Sequence, residues 1–293
     1  MSELPATEAV NPRSAGLDTM STRELVDVLA LEQHAAVDAV AAAAPALAHA
    51  VDGIVRRLES GGRLHYFGAG SSGRIGVLDA SEMPPTFGTD PTMVCAHIAG
   101  GHDALTRAVE GAEDDGAAGA AAAQACANAR DAVVGISASG GAPYVVGAVA
   151  QARALGAFTI GIASVENSAL TRAAELPIVL ATGAEPLSGS TRLKAGTAQK
   201  IALNTLSTAV MVRLGKVYDN LMVDVVAGNA KLRARAIRLV RHLTGVEEER
   251  ARQLLGMAGG RVKIAAVMAR RNVGVEEALA LLERHRGSLR AVL

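Results

Sequence analysis

Residues 67–88 read FGAGSSGRIGVLDASEMPPTFG, a glycine-rich turn followed by an acid and two prolines. The apolar run RLHYF before the turn predicts a strand, and SGRIGVLDASEM after it predicts the start of a helix. A turn between a strand and a helix offers free backbone N–H groups at the positive end of the helix dipole, and these bind anions. Gly68, Gly70 and Gly73 also fit G-x-G-x-x-G, the dinucleotide fingerprint. The stretch therefore predicts a phosphate-binding turn, for a dinucleotide or for another phosphate.

A dinucleotide site needs a further acid that this chain does not place correctly. In dinucleotide-binding domains an acid about 20 residues beyond the glycines, at the end of the second strand, binds the ribose. Asp90 has about that separation, but it stands before the next strand-like run, TMVCAHIAGG, and not after it. A nicotinamide-dependent oxidoreductase is therefore the least favoured interpretation of the turn.

A second loop, ISASGG at residues 136–141, repeats the serine and glycine pattern after another apolar run. Serine hydroxyls donate hydrogen bonds, and loops at the carboxyl ends of parallel strands open into one crevice. Serines and glycines also make ordinary tight turns, but two such loops at strand ends favour a single small phosphate site. The predicted phosphate ligands are Ser71, Ser72, Gly73, Ser137, Ser139 and Gly140.

Strand-like and helix-like runs alternate through the middle of the chain, which is typical of a doubly wound α/β fold. We predict a mostly parallel sheet of five strands. Long helices precede it, and they begin with a capping box of Ser21 and Glu24. Short amphipathic helices follow it. The predicted domains are an N-terminal helical segment over 1–55, the α/β domain over 56–232 and a small C-terminal helical domain over 233–293.

The composition excludes several classes of function. Lys and Arg total 29, as do Asp and Glu, so no net charge attracts nucleic acid or an anionic membrane. Aromatic residues make up 2% of the chain, too few for base-stacking platforms. The two cysteines form no CxxC motif, and His65, His97 and His102 show no metal-ligand spacing, so we expect no metal and no other cofactor. We expect a cytoplasmic protein, because the first residues are polar and the early Ala-rich run is interrupted by Asp, Pro and His.

Both loops resemble those of the sugar isomerase (SIS) domain, and the longer motifs resemble one family in that group, the N-acetylmuramic acid 6-phosphate etherases. The matching segments are TEAVNPRS, GAGSSGRIGVLDASEMPPTFG, IAGG…AVEGAEDD, ASGGAPYV, GSTRLKAGTAQK and GKVYDNLMVD, in this order from Thr7 to about Asp224. DASEMPPTFG and STRLKAGTAQK are much more specific than the glycine turn. The chain departs from the family at Gly141-Ala142, where the family usually has Arg-Thr, and this removes a candidate substrate or phosphate contact.

The resemblance implies the SIS fold and a carbon–oxygen lyase that cleaves the C3 lactyl ether of N-acetylmuramic acid 6-phosphate. Opening of the sugar ring exposes the C1 aldehyde and acidifies the proton on C2. A base removes that proton, an acid protonates the leaving lactyl oxygen, and water then adds to the unsaturated intermediate. The products are N-acetylglucosamine 6-phosphate and D-lactate. This elimination and hydration needs two proton-transfer groups and no redox cofactor.

The resemblance also selects the two acids. The family's catalytic carboxylates correspond to Glu82, in ASEMPP, and Glu113, in AVEGAEDD. We assign Glu82 as the proton donor to the leaving oxygen and Glu113 as the base at C2. Without the resemblance, each would be interpreted as an acid on a solvated surface. Glu110, one predicted helical turn before Glu113, and Lys194, a cation for the phosphate or the lactyl carboxylate, are weaker candidates for substrate contacts.

Two other functions fit the same fold. A non-catalytic phosphosugar sensor that regulates a partner needs the loops but not the acids, so Glu82 and Glu113 favour an enzyme. An aldose–ketose isomerase shares the phosphate loops, but ASEMPPTFG argues against it. Because SIS domains commonly place residues of two subunits around each site, the resemblance also implies a homodimer. The expected partner is then a phosphorylated amino sugar, with neither nucleic acid nor a membrane.

Overall fold

The computed structural model describes residues 5–225 and 230–293. It contains a sheet of five parallel strands, as predicted, and a short antiparallel hairpin that the sequence analysis did not predict. The strands of the sheet are β1 (Leu64–Gly68), β2 (Val94–Ile98), β3 (Ala132–Ile136), β4 (Phe158–Ala163) and β5 (Leu176–Val179). Those of the hairpin are β6 (Val217–Tyr218) and β7 (Leu221–Met222).

Helices precede, connect and follow the strands of the sheet. Those up to the hairpin are α1 (Thr22–Glu32), α2 (His34–Ala42), α3 (Ala44–Glu59), α4 (Gly70–Phe87), α5 (Gly116–Cys126), α6 (Pro143–Ala154), α7 (Ala169–Ala173) and α8 (Lys194–Arg213). Those after it are α9 (Ala230–Thr244), α10 (Glu248–Met257), α11 (Val262–Arg271), α12 (Val275–Arg284) and α13 (Leu289–Val292). The predicted capping box of Ser21 and Glu24 is present at the start of α1. No single helix among the described residues is long and apolar enough to cross a membrane, although the bent pair Thr22–Ala42 and Ala44–Glu59 meets that test jointly.

The strand order, β2-β1-β3-β4-β5, creates a crevice at the carboxyl ends of β1 and β3. These two strands are neighbours, and the chain continues from β1 to β2 on one side of them and from β3 to β4 on the other. Doubly wound sheets bind their ligands at such a switch point. Gly68 pairs with Ile136 in the parallel register, so the two predicted phosphate loops begin at the same level of the sheet. The predicted fold class is confirmed.

Alternate residues of β1 contact different helices. Phe67 packs in a buried cluster with side chains of α5 and α6. The Tyr66 hydroxyl donates a hydrogen bond to Asp79 of α4 at 2.9 Å. Asn204 and Ser207 of α8 donate to the other carboxylate oxygen of Asp79 at 2.7 and 3.0 Å. Burial raises the pKa of Asp79, although these hydrogen bonds oppose the shift. One buried carboxyl group thus joins β1, α4 and α8.

The chain divides into two compact units, one with the sheet and its helices and one with the hairpin and helices α9 to α13. Their bounds are Met1–Ser81 and Thr92–Ser207 for the first, and Glu82–Pro91 and Thr208–Leu293 for the second. Inside the second unit the Lys263 ammonium donates to Asp224 at 2.7 Å and to the carbonyls of Gly215 and Gly287 at 2.8 Å. The predicted domain boundaries, after residues 55 and 232, stay predictions.

The helix that carries Glu82 extends further than the predicted run SGRIGVLDASEM. It continues through Pro84 and Pro85 and ends at Phe87. Proline fixes φ near the helical value but lacks the N–H that bonds to the carbonyl four residues earlier. The two prolines therefore keep the helical path and weaken its hydrogen bonds in the last turns, just after Glu82.

The predicted helical turn from Glu110 to Glu113 assumes that the alanine-rich run ALTRAVEGAEDDGAAGAAAAQA forms one helix, and that prediction is wrong. Short 3-10 helices span Gly101–Leu105 and Ala112–Asp114, and the α-helix begins only at Gly116. Gly111 stands between these pieces with φ of +72°, a left-handed conformation that a right-handed helix does not admit. The left-handed conformation of Gly111 therefore interrupts the helix, although the alanines around it favour one.

Helices α5 and α6 approach each other closely because glycines face the partner backbone. A Cβ built on Gly119 of α5 would lie 1.9 Å from the carbonyl oxygen of Tyr144. A Cβ built on Gly147 of α6 would lie 2.2 Å from the carbonyl oxygen of Gly116. Backbone atoms of packed helices can move only together with the whole helix. The close spacing of α5 and α6 therefore depends on having no side chain at Gly119 and Gly147.

We expect Gly119→Ala to destabilise the protein, although alanine favours a helix by about 1 kcal/mol over glycine. The added methyl group forces the helices apart, and such overpacking costs about 1–3 kcal/mol. Gly256 in α10 is the matched control, because no atom lies within 4 Å of its built Cβ. Gly256→Ala should stabilise the protein by up to about 1 kcal/mol. Denaturant unfolding measures both free energies, and a stabilised Gly119→Ala variant would contradict the close packing.

Candidate active site

A cavity of about 460 Å³ lies at the carboxyl ends of β1 and β3. Both serine and glycine loops contribute to its wall, as does the segment before α5. Its lining includes the predicted ligands Ser71, Ser72, Ser137 and Ser139 and the predicted base Glu113. The fold therefore brings both loops and one of the two predicted catalytic acids to one cavity.

The first loop is shaped by a close contact between the end of β1 and the first turn of α4. A Cβ on Gly68 would lie 2.6 Å from the Cα of Gly73, and a Cβ on Gly73 would lie 2.9 Å from the Gly68 carbonyl oxygen. Because Gly73 has no side chain, helix α4 can begin directly after strand β1. The amides of the first helical residues, Gly70, Ser71 and Ser72, have no acceptor within the helix. Together with the helix dipole they form an anion-binding end at the cavity.

The second loop is held by its own serines. Ser137 Oγ accepts a hydrogen bond from the Gly140 amide at 3.1 Å, and Ser139 Oγ accepts one from the Gly141 amide at 3.2 Å. A hydroxyl that accepts in this way keeps its proton for donation, so both serines can also donate to a phosphate oxygen. Gly140 has φ of +66°, and a Cβ there would lie 2.1 Å from Ser168 Oγ. Gly140 therefore sets the path of the loop.

Glu113 lies on the cavity wall with an unengaged carboxylate. It belongs to the 3-10 helix Ala112–Asp114 and is exposed. Within residues 5–225 and 230–293 its carboxylate has no hydrogen-bond or ion-pair partner. Glu110 does not share a helix face with Glu113, because it lies in the turn before Gly111, and it does not line the cavity.

Sequence reasoning missed further residues of the cavity wall, among them Glu8, Gly189 and Thr191. The segment around Glu8 docks beside the loop after β5. There the Gly189 amide donates to the Thr7 carbonyl at 3.2 Å, and Ser188 Oγ donates to the Glu8 carbonyl at 3.1 Å. These residues belong to the motifs TEAVNPRS and GSTRLKAGTAQK. The motifs were therefore a signal, but a single sequence does not show that the two segments meet.

The charged side chains of the cavity wall are all acidic. Glu8, Glu113 and Asp114 line it, and no lysine or arginine does so in the part of the chain that the structure describes. A phosphate in the loops would therefore be held by hydroxyl groups, backbone amides and the helix dipole.

Glu82 lies near the end of α4 and is exposed. It belongs to the second compact unit, so the structure describes it apart from the cavity. Among the described residues its carboxylate has no hydrogen-bond or ion-pair partner. Its part in the site stays a prediction.

Comparison with known proteins identifies the family. A family model, the glucokinase regulatory protein N-terminal SIS domain, matches residues 46–153. The N-acetylmuramic acid 6-phosphate etherase of Deinococcus radiodurans is 52% identical over 294 residues, which cover 100% of this chain and 96% of the relative. The etherase of Gloeobacter violaceus is 56% identical over 263 residues, covering 89% of this chain and 86% of the relative. This chain belongs to the N-acetylmuramic acid 6-phosphate etherase family.

Solved structures show the fold of this etherase-family chain in other proteins. A phosphoheptose isomerase from Francisella tularensis aligns with a TM-score of 0.53 at 22% identity, covering 66% of this chain and 100% of its own. An E. coli CFT073 protein in complex with A5P aligns with a TM-score of 0.51 at 15% identity, covering 69% of this chain and 97% of its own. At these identities the likeness shows the SIS fold alone.

The etherase motif STRLKAGTAQK contributes to a buried ionic network. Lys194 is 1% exposed, and its ammonium lies 2.9 Å from the Glu32 carboxylate. Asn11 donates to the same carboxylate at 2.6 Å, and Arg13 lies 2.7 Å from it. Lys194 does not line the cavity, and a contact between Lys194 and substrate stays a prediction. The network joins Asn11 and Arg13 to the end of α1, at Glu32, and to the start of α8, at Lys194.

The charge of Glu32 depends on these partners. Burial by itself raises the pKa of the Glu32 carboxyl, but the hydrogen bonds from Lys194 and Asn11 and the charges of Lys194 and Arg13 outweigh it. The pKa is therefore held below its ordinary value of 4.5.

We expect Glu32→Gln to destabilise the chain by about 3–5 kcal/mol, because it leaves the Lys194 ammonium buried without its counter-charge. A carboxyl whose folded pKa is lowered stabilises the fold above its unfolded pKa, and the effect is lost as pH falls through the folded value. The difference in free energy of unfolding between wild type and variant should therefore shrink in acid.

Asp27→Asn is the control for this prediction. It removes an ion pair of comparable length, 2.7 Å from Arg23, in which both side chains are exposed. Exposed pairs contribute less than about 1 kcal/mol. Equal losses of stability in the two variants at neutral pH would contradict the role of the buried network.

Proposed function

We propose that this chain cleaves the C3 lactyl ether of N-acetylmuramic acid 6-phosphate and releases D-lactate and N-acetylglucosamine 6-phosphate. The chain is a member of an etherase family, and its relatives at about half identity extend over nearly the full length. One structural observation supports the position proposed for the active site. Two hydroxyl-bearing loops and an unengaged carboxylate, that of Glu113, line the same cavity.

The 6-phosphate is bound by the two loops. Ser71 and Ser72 offer hydroxyl groups and first-turn amides, and Ser137 and Ser139 offer hydroxyl protons. These donors carry no net charge. They hold the phosphate dianion by hydrogen bonds and place no cation next to the catalytic acids. A nearby lysine or arginine would hold a carboxylate in its charged form and make it a weaker base.

Glu113 is the base that removes the C2 proton. Its position on the wall of the phosphate cavity and its lack of a partner within the described chain support this role. The electron pair released at C2 forms a double bond to C3 as the C3–O bond breaks. The C1 aldehyde of the ring-opened sugar delocalises the negative charge that develops at C2, which is why the C2 proton is acidic enough to be removed.

Glu82 protonates the lactyl oxygen as it leaves. An ether oxygen is a poor leaving group, so proton transfer to it lowers the barrier. The match to ASEMPPTFG and the exposed, unpartnered side chain of Glu82 support the assignment. Water then adds across the double bond, so that C3 receives the hydroxyl group of the product and C2 receives a proton. In this step Glu82 accepts a proton from the water and Glu113 donates one to C2, which returns both carboxyl groups to their starting states.

We expect D-lactate release from N-acetylmuramic acid 6-phosphate in ¹⁸O-labelled water, with the label at C3 of the amino sugar and not in lactate. Elimination followed by hydration places solvent oxygen at C3, whereas attack of water on the lactyl carbon would label lactate. Glu82→Gln and Glu113→Gln should each lower kcat by about 10²–10⁴-fold, the usual contribution of a positioned acid or base. Coupled D-lactate detection and mass spectrometry measure both results.

Glu59→Gln is the control, since Glu59 is exposed at the end of α3, before β1 and away from the carboxyl ends of the strands. Its kcat should stay within about twofold of wild type, as for surface substitutions generally. Tight binding of the sugar phosphate by the wild type without turnover would favour the sensor hypothesis. Full turnover in both acid variants would overturn the acid–base assignment.

We also propose that the chain acts as a homodimer in the cytoplasm. Its two cysteines are not joined by a disulfide, which fits a reducing compartment. The N-terminal helices expose Val26, Leu31 and Val37, with 56%, 65% and 56% of each residue accessible. We infer that these exposed apolar side chains belong to the subunit interface, because subunit interfaces bury apolar surface of this kind.

Sedimentation equilibrium should give the mass of two chains for the wild type. Leu31→Glu places a charge on the proposed interface and should shift the mass toward one chain. Met257→Glu, at a similarly exposed apolar position in the second unit, should remain a dimer. A wild-type mass of one chain, or identical behaviour of the two variants, would count against this interface.

A further inference from the structure

Three side chains with metal-binding atoms meet on one side of the sheet, although they are far apart in the sequence. His65 belongs to β1, His97 to β2, and Cys126 is the last residue of α5. His65 Nδ1 lies 3.2 Å from His97 Nε2, and Cys126 Sγ lies 3.5 Å from the same nitrogen. All three donor atoms lie within 4.8 Å of one another. None of the three residues lines the phosphate cavity.

The two distances from His97 Nε2, to His65 Nδ1 and to Cys126 Sγ, match the edges of a tetrahedral zinc site. Zn–N bonds of about 2.0–2.1 Å and a Zn–S bond of about 2.3 Å place two nitrogen ligands about 3.3 Å apart, and nitrogen and sulfur about 3.6 Å apart. Two imidazoles and a thiolate are also a donor set that suits Zn²⁺ better than Mg²⁺ or Ca²⁺. We propose that His65, His97 and Cys126 bind one Zn²⁺ ion.

An otherwise unexplained buried atom supports this site. His65 is 1% exposed, and its Nε2 has no hydrogen-bond partner among the described residues. The Asp131 carboxylate lies 3.6 Å from that nitrogen. A metal on Nδ1 requires the proton to be on Nε2, where it faces this carboxylate. A carboxylate behind the far nitrogen of a metal-bound histidine is the usual way in which the ring is oriented.

Asp131 is itself held in place. It accepts hydrogen bonds from the backbone amides of Arg63 and Asn128 at 2.8 and 2.9 Å, and from the Asn128 side chain at 2.7 Å. These contacts fix the carboxylate at the start of β3, beside His65. The fold thus already holds in place the carboxylate that would orient a metal-bound His65.

The two imidazoles are uncharged at neutral pH, whereas the thiol must lose its proton to bind a metal. Burial, with the charge of His65 as a smaller cause, lowers the pKa of His97 to about 4, and burial also lowers the pKa of His65. Both rings are therefore neutral and keep a lone pair. Burial raises the pKa of the Cys126 thiol to about 11. Binding displaces its proton to solvent, and the thiolate charge is balanced by the cation.

One of the three ligands, His97, lines a second cavity of about 570 Å³, together with Ala122 and Tyr144. An ion can therefore approach the cluster from the side of His97. A zinc site with three protein ligands leaves its fourth position for a water molecule. Since the ligands come from β1, β2 and α5, the ion would tie these three elements together.

The test uses the full-length chain after removal of metals by a chelator and transfer to metal-free buffer. Titration with Zn²⁺ against a chromophoric chelator should show one tight site per chain. Cys126→Ser and His97→Gln should weaken it by about 100-fold or more, since even outer partners of a metal ligand contribute about 10–100-fold. Co²⁺ should give a thiolate charge-transfer band in wild type and none in Cys126→Ser.

Two variants serve as matched controls. Cys95→Ser removes the other thiol, on the same strand as His97, and His102→Gln removes an exposed histidine on the wall of the same cavity. Both should bind Zn²⁺ as wild type does. Circular dichroism without metal shows whether each variant is folded.

A further measurement needs no variant. Zn²⁺ should protect Cys126 from alkylation in the wild-type chain, as mapped by peptide mass spectrometry. Absence of stoichiometric binding, unchanged affinity in Cys126→Ser, equal losses in the controls, or alkylation of Cys126 at the same rate with and without Zn²⁺ would each overturn the proposal.

Discussion

The parallel pairing of β1 and β3 is the constraint on which the candidate site depends. With Gly68 beside Ile136, both strands end at one level, and the chain leaves them in opposite directions. In doubly wound sheets, ligands bind in the crevice that this arrangement leaves between the carboxyl ends of the strands. A slip in this register would move one serine loop relative to the other and would turn every side chain of the strand to the opposite face. The glycine contact between β1 and α4 adds the second condition, because it starts the helix directly at the strand and aims its amides into the crevice.

Among the described residues, those that line the phosphate cavity include no lysine or arginine. Lys194, which the sequence suggests as a phosphate ligand, is 1% exposed and paired with Glu32 inside the fold. The cavity wall instead carries dipoles and carboxylates. A dianionic substrate is attracted less strongly by dipoles than by a lysine, but a carboxylate that must accept a proton remains a better base without a neighbouring cation. For a reaction that begins by removing a carbon-bound proton, the second effect acts on the chemical step itself.

Sequence patterns predicted the elements well where the signal is local. The five strands, the capping box of Ser21 and Glu24, and the serine loops all follow from short-range preferences of strands, caps and turns. The break before α5 was missed because alanines suggested a helix, whereas Gly111 in a left-handed conformation ended it. The clustering of His65, His97 and Cys126 was missed for a different reason. It depends on strand register and on where α5 ends, and no spacing along one chain encodes either.

β1 connects the separate features of the first unit. Its end forms the phosphate turn, Tyr66 on one of its faces donates to the buried Asp79, and His65 on the other face belongs to the proposed zinc site. The strand therefore has polar contacts on both faces. On one face Tyr66 donates to the Asp79 carboxyl group of α4, which α8 also contacts, and on the other face His65 lies 3.2 Å from His97 of β2. Hydroxyl and amide donors stabilise a phosphate only when they are already positioned, since reorienting them would consume much of the interaction energy. A phosphate turn that holds its ligand by dipoles therefore needs a rigid strand next to it. Polar groups are buried on both faces of β1 and hold the strand in one arrangement, whereas an apolar core alone would allow more than one.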